Sequence, residues 1–88
     1  MEPTNTDYKQ MLSEIIKKQV VILGPQIALL KARGVEGLKV SDDGTVVEVN
    51  GPEQVVLQKL IDEYVALSGE IVKNAVNSIF KKYPSIQH

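Results

Sequence analysis

The chain has 88 residues, 43% of them hydrophobic and 24% charged, with a net charge of −1 and no cysteine. That length allows one domain, and the near-neutral balance argues against strong long-range attraction to nucleic acid or anionic membranes. The missing thiols remove disulfides, cysteine nucleophiles and cysteine-held metals together.

The start, Met1-Glu2-Pro3-Thr4-Asn5-Thr6, is polar and lacks the cationic and apolar regions of a secretion signal. Thr4 or Thr6 can cap a first helix, and Asp7 stands at a loose capping-box spacing from Thr4. Tyr8, Met11, Leu12, Ile15, Ile16, Leu23 and Leu30 then recur at helical intervals. Gly34, preceded by Lys31 and Arg33 and followed by Val35, reads as a C-cap glycine closing that helix. Gly24-Pro25 interrupts it. Proline deletes a ladder bond and clashes with the carbonyl one turn back, so a kink is expected near residues 21–23. The apolar stripe read along the sequence keeps its phase across the interruption, which favours that kink. A full break, with Pro25 opening a second helix, is the alternative. The stretch from Val20 to Leu30 is too interrupted to supply the ~20 apolar residues of a membrane span. A soluble, cytoplasmic protein is expected.

Gly37-Leu38-Lys39-Val40 and Thr45-Val46-Val47-Glu48-Val49 flank Ser41-Asp42-Asp43-Gly44-Thr45 and predict a β-hairpin. Leu38 and Val40 on one strand and Val47 and Val49 on the other should form its dry face, with Gly44 supplying positive φ at the turn. Asn50-Gly51-Pro52-Glu53 starts the next helix, which should run to Tyr83 before Pro84 stops it. Unbroken, it would span roughly 48 Å at ~1.5 Å per residue. Residues 1–6 are expected to form a flexible start and residues 84–88 a loose tail.

On a helical wheel the apolar residues of the last helix, Leu57 to Tyr83, occupy roughly 200°, twice what one buried face needs. The first helix is similarly broad, with Val21, Ala28 and Ala32 on its far side. One partner helix and a hairpin cannot cover both arcs, so a second copy of the chain is expected to, leaving little folded monomer. The residues assigned to that oligomer interface are Tyr64, Val65, Leu67, Ile71, Val72, Val76, Ile79 and Phe80. Gln19 and Gln26 fall two turns apart within the first arc and are candidates for fixing register, as buried amides do in helical assemblies. Leu23-Gly24-Pro25-Gln26-Ile27 and Leu67-Ser68-Gly69-Glu70-Ile71 echo one another, and a glycine inside a helix suggests close helix crossing there.

Reactive constellations are scarce. Asp42-Asp43-Gly44 lacks the alternating ligands and terminal glutamate of a calcium loop and reads as a turn. His88 stands alone at the chain's last position. Tyr8, Tyr64, Phe80 and Tyr83 read as core aromatics, with the tyrosine hydroxyls reaching the rim. Lys17-Lys18 and Lys81-Lys82 are the adjacent basic pairs, expected to form a solvated face, with Glu2, Asp7 and Glu14 able to neutralise the second pair where the last helix returns towards the start of the first.

The expected fold is therefore α+β and predominantly helical: one domain over residues 1–88, a long helix, β-hairpin and long helix whose copies form a bundle with hairpins at one end. This order of elements resembles prefoldin-type subunits in architecture alone, since no residue motif carries it. The expected function is a non-catalytic, homo-oligomeric protein–protein interaction or assembly module, with itself as partner in a homodimer or higher even oligomer and another protein as a second partner. No cofactor, metal or catalytic residue is assigned. A nucleic-acid-associated dimer, resting on the lysine pairs, and a small-molecule sensor with an intersubunit pocket are the alternatives.

Overall fold

The computed structural model describes residues 5–84 and 86. The Thr4 cap, the neutralising role expected of Glu2, and Ser85, Gln87 and His88 of the tail lie outside them. The fold is α+β and predominantly helical, in the order α1 (Asn5–Leu23), α2 (Pro25–Arg33), β1 (Leu38–Val40), β2 (Val46–Val49), α3 (Glu53–Ser68) and α4 (Glu70–Phe80).

Both expected long helices are broken, each at the glycine of the echoed segment. Gly24 lies at φ 90° and Gly69 at φ 56°, where a side chain would collide with its own backbone. The two breaks share a hydrogen-bond scheme. Gly24 N–H donates to Val20 O at 3.0 Å and its carbonyl accepts from Ala28 N–H at 3.1 Å; Gly69 N–H donates to Val65 O at 2.9 Å and its carbonyl accepts from Lys73 N–H at 3.1 Å. The ladder is thus redirected with little loss of bonding. The favoured kink at Gly24-Pro25 is a full break, with Pro25 in the first turn of α2 where its missing N–H removes no ladder bond. Close crossing does not explain either glycine, because a Cβ at Gly24 or Gly69 would meet nothing within 4 Å.

Each break resets the phase of the helix after it. Ala28, Leu29 and Ala32 become the buried side of α2, while Leu30, expected in line with Leu23, turns outward. α4 folds back on α3 and lies beside α1, burying Val72, Val76 and Ile79. The molecule measures 34 × 24 × 19 Å, which leaves no room for a 48 Å helix, and its Cα radius of gyration of 11.6 Å matches the ~12 Å of a self-contained chain of this length. Met11, Leu12, Ile15 and Ile16 from α1 meet Leu57, Leu60 and Tyr64 from α3 at the centre of the core.

The hairpin lies along the bundle's side and does not cap its end. Ser13, buried in α1, donates through its hydroxyl to Lys9 O at 2.7 Å and accepts from Val46 N–H at 2.8 Å, fastening β2 to the helix. Leu38 pairs with Val49, Lys39 with Glu48, and Val40 with Val46, so Val47 is the extra residue of a β-bulge. Strict alternation expected Val47 on the dry face. The bulge shifts that face to Val46 and leaves Val47 54% exposed.

The turn closes as expected, with Gly44 at φ 90°. Asp43 accepts from the Ser41 hydroxyl and, at 2.9 Å, from Thr45 N–H. Gly34 does cap α2, donating to Leu30 O at 3.1 Å, but from the right-handed region at φ −74° and not as a left-handed cap. At the chain's ends, Asn5 and Thr6 already belong to α1, and Ile86 is buried in the core with its amide donating to Tyr83 O at 3.0 Å.

Candidate interaction surface

Of the residues assigned to an oligomer interface, Tyr64, Val72, Val76 and Ile79 are buried inside the chain's own core, and Val65 and Phe80 pack half-buried against it. Each wide arc faces two neighbours within one chain, because the helix carrying it has been cut and refolded. Leu67 and Ile71 remain on the surface, 46% and 58% exposed.

These two belong to a larger apolar end. α1 and α3 begin side by side: Asn5 Nδ2 donates to Glu53 at 3.3 Å and the Tyr8 hydroxyl donates to Gln54 at 3.0 Å. α2 runs antiparallel to α3, since the Tyr64 hydroxyl donates to Ala28 O at 2.7 Å while Lys31 lies 3.9 Å from Glu63. Both glycine breaks therefore sit at the same end of the bundle, away from the α1 and α3 starts. Ile27 is one turn before Lys31 and Leu67 one turn beyond Glu63, which sets them on one α2–α3 seam. Ile71 opens α4 just past Gly69. Leu30, 70% exposed, flanks Ile27, which is 48% exposed, and Val21, 83% exposed, stands near the end of α1. Isolated exposed leucines or valines need no explanation, and Val21 faces the groove between α1 and α4, but Ile27, Leu30, Leu67 and Ile71 towards one end do need one. Charges of both signs border them, as Lys31 with Glu63 and as Lys73 with Glu70 at 3.8 Å.

The two glutamines separate. Gln26 is exposed on α2. Gln19 is fully buried, and neither its Nε2 nor its Oε1 finds a hydrogen-bond partner among the described residues. Tyr64, also fully buried, has its phenol pushed well above the usual range by desolvation, so it stays a neutral donor to Ala28 O. It is a core anchor whose hydroxyl never reaches the rim. Tyr83 is shifted upward as well, by burial first and then by Glu14 and Asp7.

Asp42 pairs with Arg33 at 2.7 Å on the surface, and Asp43 is engaged in its own turn, so the acidic pair is divided between two structural tasks. Among the described residues no three His, Cys, Asp or Glu side chains converge as a metal site requires, and no helix is long and apolar enough to cross a membrane. Sequence reading missed Ser13, whose role as a tether depends on a strand more than thirty residues away. It also missed the common end of the two breaks, for which the five-residue echo was the available signal. No protein-family model matches the chain, and neither a curated protein nor a solved structure is significantly similar to it.

Proposed function

We propose that this chain is a non-catalytic interaction module that pairs with a second copy of itself through the apolar end formed by Ile27, Leu30, Leu67 and Ile71. The concentration of exposed aliphatic side chains at the end where both helices break carries this reading. The border supports it, because Lys31, Glu63, Glu70 and Lys73 offer both signs, and a two-fold contact can set each lysine against a partner's glutamate.

Size sets the strength. The exposed parts of these side chains amount to a few hundred Å², less than the roughly 800 Å² per partner of a stable interface. Association in the micromolar range, with the polar border contributing, is the expectation. Each protomer closes its own core, so dissociated protomers stay folded, in contrast to the obligate oligomer expected from the helical wheels.

The test is mass in solution by light scattering across a concentration series, for the parent and for a Leu30→Glu/Leu67→Glu variant. The parent should move from monomer to dimer mass as concentration rises. The variant should remain monomeric with an unchanged circular dichroism spectrum. A parent that stays monomeric at millimolar concentration overturns the proposal.

A further inference from the structure

We propose that the furrow between α1 and α4 docks an acidic, amphipathic helix of a partner protein. Glu14 faces Lys82 at 3.7 Å at one end of this furrow, and Val21 and Ala75 share its lining towards the other, so its walls are two antiparallel helices. The cavity between them holds about 380 Å³, with Lys17, Lys18 and Lys82 on its flanks and Val21, Ala75 and Ile79 supplying apolar lining. A second cavity of about 420 Å³ shares Glu14 and Lys17 but lies between α1 and the hairpin, lined by Lys9, Ser13, Thr45 and Val46.

Charge is segregated here. Three lysines and a single glutamate line the furrow of a chain whose net charge is −1. Lys82 is paired with Glu14, whereas Lys17 and Lys18 enter no ion pair among the described residues, Lys17 acting on Asp43 of the turn only as a nearby charge. The Glu14 partner expected for the Lys81-Lys82 pair is thus found at Lys82. Folding has brought Lys17-Lys18 and Lys82, remote in sequence, to one surface.

The lining selects among anions. Lys17 and Lys18 line one wall of the furrow, and Lys82, beside Glu14, lines the other about one helical turn further along. One carboxylate headgroup cannot reach them all, so the occupant carries several charges along its length. A phosphate backbone would carry them too, but Val21, Ala75 and Ile79 would then face ribose and phosphate. An amphipathic helix answers both halves, laying aliphatic side chains on the apolar lining and carboxylates towards the lysines. Two antiparallel helices also present the ridges and grooves into which a third helix seats. This surface lies on the α1–α4 flank, apart from Leu30 and Leu67 on the α2–α3 flank, and it does not depend on self-association.

Three probes test it by fluorescence anisotropy, with amide chemical shifts locating the contact. One is a helix-constrained peptide of about 12 residues, roughly 18 Å long, with leucine on one face and glutamate on the other. The second replaces its leucines with alanine, and the third is a single-stranded oligonucleotide of similar length. The leucine–glutamate peptide should bind in the micromolar range and shift amides around Lys17, Val21 and Ala75. Lys17→Glu/Lys18→Glu and, separately, Val21→Asp should each weaken it at least about tenfold. All three substituted positions are exposed, so both variants should fold. Leu30→Glu/Leu67→Glu should bind the peptide as the parent does while losing the dimer, which separates failure here from failure of the self-association reading. The proposal is overturned if the peptide does not bind at millimolar concentration, if the alanine peptide binds equally well, or if charge reversal changes nothing. Tighter binding of the oligonucleotide would also overturn it and assign the furrow to nucleic acid.

Discussion

Replacing Gln19 with methionine should make this protein more stable. Gln19 is fully buried in α1 and both of its amide atoms lack a partner among the described residues. A buried polar group left unsatisfied costs about 1–3 kcal/mol. Methionine has similar length and flexibility and carries no polar atom that needs a partner, so packing is preserved while the desolvation penalty disappears. Each kcal/mol moves the melting temperature of a domain of this size by roughly 4–8 °C, so Gln19→Met should melt about 5–15 °C higher. Gln26→Met is the matched control. Its site is exposed, and surface changes of this kind stay within about 0.5 kcal/mol. Thermal and urea unfolding followed by circular dichroism read both variants. Because Gln19 faces the interior of its own protomer, the oligomeric mass should not change, contrary to a register role between copies. A Gln19→Met variant that melts below the parent would refute the reasoning and show that the amide is held by a buried water or another internal partner.

Gly44→Val should cost about 1–3 kcal/mol, because φ is 90° there and the new Cβ would lie 3.3 Å from Lys17 Cγ; Asp42→Asn, which loses only an exposed pair with Arg33, should leave the melting temperature unchanged, and equal melting of the valine variant and the parent would refute the turn's role. Asp43 is held down to about 2 from 3.8, chiefly by the Ser41 hydroxyl and the Thr45 amide. With its folded value depressed, its contribution is complete above pH 3.8 and is lost as pH falls towards 2. The Thr45 amide resonance should titrate in that window and stop doing so in Asp43→Asn; a flat Thr45 profile in the parent counts against the turn geometry. Gly24→Ala and Gly69→Ala should each destabilise by about 1–3 kcal/mol although the added methyl meets nothing within 4 Å. A rise in melting temperature for either would mean that its glycine is not there for its backbone.

Local chemistry made the hairpin legible and tertiary chemistry hid its register. Ser41-Asp42-Asp43-Gly44 dictates a turn through its own side chains and one positive φ, and that is what forms. The adjacent valines Val46 and Val47 fit either face equally well, so only Ser13 reaching Val46 N–H decides which one turns inward. Gly24-Pro25 announced an interruption but not its extent, since kink and break differ in how α2 finds its next neighbour. Gly69 was quieter still. Helix-forming residues on both sides fit one continuous stripe, and nothing nearby demanded a cap. From that continuity came the over-wide arc and, from the arc, the interface assigned to residues such as Val72 and Val76 that fold inward. The lysine furrow needed α4 to turn back along α1, a reversal that depends on the break at Gly69 and on no local signal.

The echo around the two glycines acquires a physical meaning through what the breaks accomplish. Two unbroken helices with 200° apolar arcs would leave surface that only another chain could cover. Cutting each at one glycine gives four shorter segments that cover one another within 34 × 24 × 19 Å. The shared hydrogen-bond scheme at Gly24 and Gly69 and the common start of α1 and α3 are what a repeated helix–glycine–helix unit would show. Their backbones are not identical, with ψ at 153° and −118°, so the chain leaves each break in a different direction, α2 towards the hairpin and α4 back along α1. A sharp reversal cannot bury the residues beside it as well as a straight segment buries its middle, because the chain there has few neighbours on its outer side. Ile27, Leu67 and Ile71 are exposed for that reason. The feature that lets a single chain close its core is therefore also the one that leaves an apolar end, the surface proposed to meet a second copy.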